Sequence, residues 1–127
     1  MPEPQVSDAT QQKIRQFQEL QQQARVLAGQ RYQFEMQEKE TKGALEELEK
    51  TENAEVYKAI GQIIIKSEKS KLVSELKEKT ETLGLRLKAI EKQEKKTIEK
   101  MKELQGQLES ELSGLRIGPQ GGEGSAA

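Results

Sequence analysis

The sequence contains no cysteine, no histidine and no tryptophan, and only 3% of its 127 residues are aromatic. Without cysteine the chain has neither disulfide bonds nor a thiol nucleophile. Without histidine it also lacks the commonest general base and metal ligand. The many carboxylates are spread over solvated helix faces, and no glycine-rich phosphate loop is present. We therefore expect no catalytic residue, no metal site and no cofactor, and a chain that is not an enzyme.

Long hydrophobic runs and an excess of one charge are also missing. No apolar stretch approaches the roughly 20 residues that span a bilayer, and the N-terminal residues lack the apolar core of a signal peptide. Charged residues make up 34% of the chain, but their signs are interspersed and the net charge is −1. This balance argues against a surface for nucleic acid or for a membrane. These features predict a soluble, cytoplasmic protein.

Helix-forming residues dominate two segments, 7–52 and 69–116. In each segment one stripe of mostly apolar residues recurs at alternating steps of three and four. This heptad spacing is typical of a coiled coil. The seam of the first segment consists of Phe17, Leu20, Ala24, Leu27, Arg31, Phe34, Glu38, Thr41, Leu45 and Leu48. The seam of the second consists of Val73, Leu76, Thr80, Leu83, Leu87, Ile90, Glu94, Thr97, Met101, Leu104 and Leu108.

The ends of these predicted helices carry recognisable signals. Ser7 and Asp8 are candidate N-caps of the first helix, and Asp8 with Gln11 has the spacing of a capping box. Ser67 or Ser70 can cap the second helix. The glycine-rich segment 118–127 is low in complexity, and we expect it to be disordered.

Between the two helices lies the only segment rich in β-branched residues. Two short runs, 56–60 and 63–66, flank Gly61 and Gln62, and glycine in the first central position suits a type II′ turn. The sequence thus predicts a β-hairpin over 54–67 in which Ile60 pairs with Ile63. Such a hairpin has apolar side chains on both faces and open edges, and two strands alone are marginal in water. Other chains must therefore complete it.

A hairpin between two long helices makes those helices antiparallel. Aligning the two seams places Leu48 beside Val73, Phe34 beside Leu87 and Phe17 beside Leu104, although a shift of one heptad would match almost as well. Arg31 then lies beside Ile90, with Glu94 one turn away. An ion pair there is one interpretation, and two side chains extending to water is the other.

The order helix, hairpin, helix, with Val56-Tyr57-Lys58 before Gly61 and Ile63-Ile64-Ile65-Lys66 after it, resembles a β-class prefoldin subunit. This resemblance extends over roughly residues 7–115. It implies a mainly α fold in which one antiparallel coiled coil carries a single β-hairpin, and the hairpins of several subunits join into β-barrels. The implied complex is a hexamer of two α-class and four β-class subunits.

The resemblance also implies an activity and two sets of site residues. The activity is that of an ATP-independent holdase, which binds non-native polypeptides at the coiled-coil tips and passes them to a group II chaperonin. The implied assembly residues lie in the hairpin and are Val56, Tyr57, Ala59, Ile60, Ile63, Ile64 and Ile65. The implied client-binding residues lie at the helix ends and are Val6, Ile14, Phe17, Leu20, Leu108, Leu112, Leu115 and Ile117.

Two alternatives stay open at this point. Phe17 and Leu20 can simply complete the coiled-coil seam instead of binding a client, whereas Leu112, Leu115 and Ile117 lie beside Gly106 and Gly114, which favours exposure. The whole chain can also be a structural or tethering coiled coil that binds no unfolded protein. A pure tether does not need an apolar β segment in mid-chain, so the hairpin favours the chaperone hypothesis.

Overall fold

The computed structural model describes residues 6–114. Helix α1 spans Asp8–Lys50, strand β1 spans Glu55–Ile60, strand β2 spans Ile63–Glu68 and helix α2 spans Lys69–Ser113. Within the described residues the two strands form one antiparallel sheet. The predicted fold class, two long helices joined by a single β-hairpin, is confirmed.

The element bounds lie close to the ranges that the sequence indicates. The first helix was expected over 7–52 and the hairpin over 54–67, and the strands begin at Glu55 and end at Glu68. The second helix was expected to reach 116, whereas α2 ends at Ser113 and Gly114 lies in a turn. The segment 118–127, for which we expect disorder, lies outside the described residues.

The described residues form two compact units. The hairpin unit consists of residues 29–92 and holds both strands, and the terminal unit consists of residues 6–28 and 93–114. Each helix contributes one segment to each unit. In the hairpin unit the guanidinium carbon of Arg86 lies 6.0 Å from the ring centre of Phe34. In the terminal unit Thr10 contacts Glu111. Both contacts agree with the predicted alignment of the two helices, which places Phe34 beside Leu87, the neighbour of Arg86, and by the same register places Thr10 beside Glu111.

The predicted seams are the buried stripes of both helices. Every seam residue of α1 and of α2 is buried or half-buried, and the most buried apolar ones include Leu83, Leu87 and Ile90. The buried hydroxyl of Thr41 donates to the carbonyl oxygen of Gln37 in its own helix at 2.7 Å. This hydrogen bond offsets the free-energy cost of burying the hydroxyl in the seam, because the hydroxyl exchanges its bond to water for one to the backbone.

Helix α1 begins with Ser7 as its cap. The backbone N–H of Thr10 donates to the Ser7 hydroxyl at 3.1 Å, and the N–H of Gln11 donates to the Ser7 carbonyl at 2.9 Å. Asp8 is the first helical residue, so the predicted Asp8–Gln11 capping box is wrong. As a first-turn residue, the Asp8 carboxylate still lies where the helix dipole favours negative charge.

The junction between α1 and α2 depends on Lys69. Its backbone N–H donates to the Ala54 carbonyl at 2.8 Å, and its ammonium contacts the carbonyl oxygen of Thr51 at 2.6 Å and that of Glu49 at 3.3 Å. The ammonium thus contacts one carbonyl oxygen in the last turn of α1 and one just after the helix end, where carbonyls have no partner within the helix. Ser67 lies in β2 and Ser70 lies inside α2, so the prediction that one of them caps α2 is wrong.

Candidate functional site

The hairpin has the turn and register that the sequence predicts. Ile60 pairs with Ile63, and Lys58 pairs with Ile65. Gly61 has φ +59° and, within the described residues, is the one residue with positive φ. A positive φ at the first central position and a negative one at Gln62 fit a type II′ turn, whose twist matches that of the strands. The predicted position of the turn and the pairing of Ile60 with Ile63 are confirmed.

Large apolar side chains are exposed on both faces of the hairpin. Tyr57 and Ile64 occupy one face, and they are 68% and 71% exposed. Ile60, Ile63 and Ile65 occupy the other face and are exposed as well. Val56 is half-buried and Ala59 is exposed. Neither face is therefore covered by the helices of the same chain, which disfavours a hairpin that merely closes its own coiled coil.

The backbone of each strand also presents an open edge. Paired residues in an antiparallel ladder alternate between hydrogen-bonded and non-hydrogen-bonded pairs, and the pair that closes a two-residue turn is hydrogen-bonded. By the observed register, Tyr57 and Ala59 in β1, and Ile64 and Lys66 in β2, direct their N–H and C=O groups away from the partner strand. Within residues 6–114 no third strand pairs with either edge. A strand of another chain can add to each side.

An apolar groove lies beside the hairpin in the same unit. Leu72 and Leu76 of α2, and Leu48 of α1, line it together with Tyr57 of β1. The ammonium of Lys58 lies 3.2 Å from a carboxylate oxygen of Glu75, so an ion pair joins β1 to α2 there. Sequence reasoning missed the burial of Leu72, because it precedes the first predicted seam position of α2. Its spacing of four from Leu76 was the available signal.

The terminal unit holds the described part of the predicted client-binding set. Val6, Ile14, Phe17, Leu20 and Leu112 are half-buried. Leu108 is 8% exposed, so its side chain is not accessible in this conformation. The predicted exposure of Leu112 is only partial. Leu115 and Ile117 lie outside the described residues.

A shallow groove runs between the two helix segments of the terminal unit. Leu20 and Leu104 form its apolar floor. Its rim is polar and consists of Gln16, Glu19, Gln23, Lys100, Glu103 and Gln107. The groove is therefore a short apolar strip with polar and charged side chains along it.

A polar cluster closes the terminal unit, and sequence reasoning missed it. The hydroxyl of Thr10 donates to one carboxylate oxygen of Glu111 at 2.6 Å, and the ammonium of Lys13 contacts the other at 2.5 Å. The contact with Lys13, and then the hydrogen bond from Thr10, lower the pKa of Glu111 below its ordinary value. These residues extend the three-and-four spacing beyond both apolar seams, and that continuation was the signal that could have found them.

The chain matches a family model that is described as prefoldin subunit, over residues 11–114. The match spans both helices and the hairpin, and thus nearly all of the described residues. The chain belongs to the prefoldin family of chaperone subunits.

Individual relatives narrow the class. The chain is 46% identical to prefoldin subunit beta of Methanosarcina acetivorans over 103 residues, which are 80% of this chain and 88% of the relative. It is also 46% identical to prefoldin subunit beta of Thermococcus kodakarensis over 98 residues, or 76% of this chain and 84% of the relative. These similarities place the chain in the beta class of the family.

A solved structure agrees with this placement. The crystal structure of the prefoldin beta subunit from Thermococcus strain KS-1 matches with a TM-score of 0.77 and 40% sequence identity, and the match covers 91% of this chain and 99% of that chain. The fold and the sequence therefore indicate the same class. Within residues 6–114 neither helix has a stretch apolar enough to cross a membrane.

Proposed function

We propose that the chain is the β-class subunit of an ATP-independent holdase, which captures non-native polypeptides and delivers them to a group II chaperonin. The observation that carries this proposal is the hairpin of a prefoldin-family chain, with exposed isoleucine and tyrosine side chains on both faces and two open edges. A cytoplasmic location is part of the same proposal.

Assembly is the role that the hairpin serves. Its partners are α-class prefoldin subunits and further copies of this chain, two α and four β in one hexamer, and strand addition at both edges closes β-barrels. The assembly surface consists of Val56, Tyr57, Ala59, Ile60, Ile63, Ile64 and Ile65. Burying one Ile fully is worth about 1.5–3 kcal/mol, so covering several of them in one barrel favours a stable complex.

Client binding is the role of the terminal unit. Val6, Ile14, Phe17, Leu20, Leu108 and Leu112 supply apolar surface there, and Leu115 and Ile117 belong to the same proposal. Because the described members are half-buried or buried, binding requires that the two helix segments separate by a turn or two. A single chain then binds weakly, and several chains acting on one client bind strongly through effective concentration.

A tethering coiled coil is the competing function, and a client-protection assay separates the two. A denatured protein is diluted into buffer with the assembled complex and without ATP, and aggregation is followed by light scattering. We expect suppression of aggregation, and we expect added ATP to leave it unchanged. A complex of normal size that protects no client would support the tether.

Truncation locates the binding surface. Removing residues 1–20 together with 105–127 leaves the hairpin intact, so we expect the complex to assemble but to lose protection of the client. Native mass spectrometry of the truncated complex is the control for assembly. If the truncated complex protects as well as the full-length one, the client binds elsewhere and the assignment to the terminal unit is wrong.

A further inference from the structure

Four side chains connect the start of α1 to the last turn of α2. The Ser7 hydroxyl donates to the Thr10 hydroxyl at 2.9 Å, and Thr10 donates in turn to Glu111 at 2.6 Å. The Lys13 ammonium contacts the second oxygen of the same carboxylate. Glu111 thus uses both oxygens to hold α1, and the cap of α1 belongs to the same chain of hydrogen bonds. We call these four residues the latch.

The latch lies at the apolar part of the terminal unit. Thr10 is 4% exposed, and Leu108, one turn before Glu111 on the same side of α2, is 8% exposed. Separating the helix ends would break both contacts of Glu111 and uncover Leu108. Access to apolar side chains at this end therefore depends on whether the latch is closed.

The charged pair of the latch is only partly protected from water. The side chains of Lys13 and Glu111 are 32% and 31% exposed, so water and salt compete for both charges. Such an ion pair stabilises a contact only weakly, and water readily replaces each charged group as the partner of the other. It can open without the unfolding of either helix, because the intrahelical hydrogen bonds do not depend on it.

We propose that the latch controls how often the helix ends open and thereby how fast a non-native polypeptide gains access to the apolar side chains of the terminal unit. This inference rests on the proposed holdase function for its client, but the closing of the ends is a property of the chain itself. In the single chain the apolar residues of the hairpin are exposed without any conformational change, whereas the latch makes exposure at the helix ends conditional on opening.

The absence of native cysteine makes the opening measurable. The exposed residues Gln12 and Ser110 are replaced by cysteine and labelled with nitroxides, and pulsed electron spin resonance records the distance between them. The full-length labelled chain is diluted with unlabelled chain in the assembled complex. The test variant is Glu111→Gln, which keeps the size of the side chain but removes its charge.

A matched control lies two residues away. Glu109 is exposed and accepts a hydrogen bond from Gln105 of the same helix, so Glu109→Gln makes the same chemical change outside the latch. We expect Glu111→Gln to broaden the distance distribution towards longer values and Glu109→Gln to leave it unchanged. The double variant Lys13→Glu with Glu111→Lys restores opposite charges and should narrow the distribution again.

The same variants are then compared in client capture without ATP. Weakening the latch should raise the initial rate of capture by about two- to fivefold, in line with the modest strength of a partly exposed ion pair. Unchanged distances in Glu111→Gln would overturn the latch. Changed distances with an unchanged capture rate would overturn its control of access. If even the wild-type complex captures no client, the proposed function is wrong and the control of access fails with it, whatever the distances show.

Discussion

The hairpin and the terminal unit treat apolar side chains in opposite ways. The hairpin leaves isoleucine and tyrosine exposed on a backbone that a type II′ turn and a fixed register hold in place. The terminal unit keeps Leu108 buried beside a polar cluster. Surface that is exposed in the folded single chain suits a permanent partner, because a stable contact then covers it for the life of the complex. Surface that is exposed only on opening suits a transient client, since it does not promote aggregation in between.

The largest expected effect comes from placing charge on the permanent surface. We expect Ile63→Lys with Ile65→Lys to abolish the hexamer while the helices stay largely formed, because an unpaired charge buried in a barrel costs several kcal/mol. Light scattering gives the size of the complex, and circular dichroism gives its helix content.

The control for this variant matches its exposure. Ile63 and Ile65 are 64% and 46% exposed, and Leu85 and Ile98 on α2 are 64% and 42% exposed. Leu85→Lys with Ile98→Lys should leave the hexamer intact, since exposure alone does not make an interface. A hexamer of normal size in the hairpin variant would contradict the barrel.

The next effect concerns the rigidity of the permanent surface. Gly61 has φ +59°, a conformation that costs a residue with a Cβ atom about 1–2 kcal/mol, so Gly61→Ala should lower the stability of the assembled protein by that amount per chain. Gly29 lies in a helix with open space around its Cβ position, and Gly29→Ala should raise stability by about 0.5–1 kcal/mol. Thermal unfolding of both variants checks the opposite signs. Equal shifts in the same direction would contradict this account of the turn.

The turn and register of the hairpin and the buried seams of the helices could be predicted from the sequence. Ile60-Gly61-Gln62-Ile63 determined both the turn and the register, because glycine at positive φ and two flanking β-branched residues leave few alternatives. The seams followed from the three-and-four spacing, which any pair of long helices must use to bury one stripe. The assembly residues of the hairpin were implied by the resemblance to β-class prefoldin subunits, and their role stays a prediction.

The polar contacts between elements could not be predicted in the same way. These contacts depend on the conformations of long, flexible side chains, which the sequence does not specify. Examples are the contacts of Lys69 with the carbonyl oxygens of Thr51 and Glu49, and the contact of Lys13 with Glu111. The sequence left Ser7 and Asp8 open as caps of α1, because both residue types are favourable at that position. In the structure Ser7 is the cap, and the neighbouring Thr10 contacts Glu111.

A smaller effect is expected at the junction of the hairpin unit. Lys69→Met keeps the aliphatic part of the side chain but removes the ammonium from the carbonyls at the end of α1, and we expect a loss of about 1 kcal/mol in the free energy of unfolding. Lys71 is exposed, and Lys71→Met should change stability by less than about 0.5 kcal/mol. Chemical denaturation measures both. A similar loss in the two variants would mean that Lys69 has no special role.

The smallest effect is the response of the latch to acid. The pKa of Glu111 is lowered from 4.5, chiefly by Lys13, the charged partner from α1, and then by the hydroxyl of Thr10. A carboxylate whose pKa is lowered by folding stabilises the folded state fully at pH values above its pKa in the unfolded chain. This stabilisation is lost as the pH falls through the lowered pKa of the folded chain. The distance between the nitroxides should therefore stay constant between about pH 6 and 8. It should lengthen only in acid, below the pKa that Glu111 has in the unfolded chain. The Glu111→Gln variant, which cannot titrate there, should show no such change.

Hydroxyl-radical footprinting of the assembled complex, with and without a client, tests the contrast between the two regions most directly. Tyr57 and Ile64 report on the hairpin, and Phe17 and Leu20 report on the terminal unit. We predict that the hairpin residues are protected in the complex whether or not client is present, and that Phe17 and Leu20 are modified in the free complex and protected when client is bound. Protection of Tyr57 and Ile64 only when client is bound, with Phe17 and Leu20 unchanged, would contradict the account.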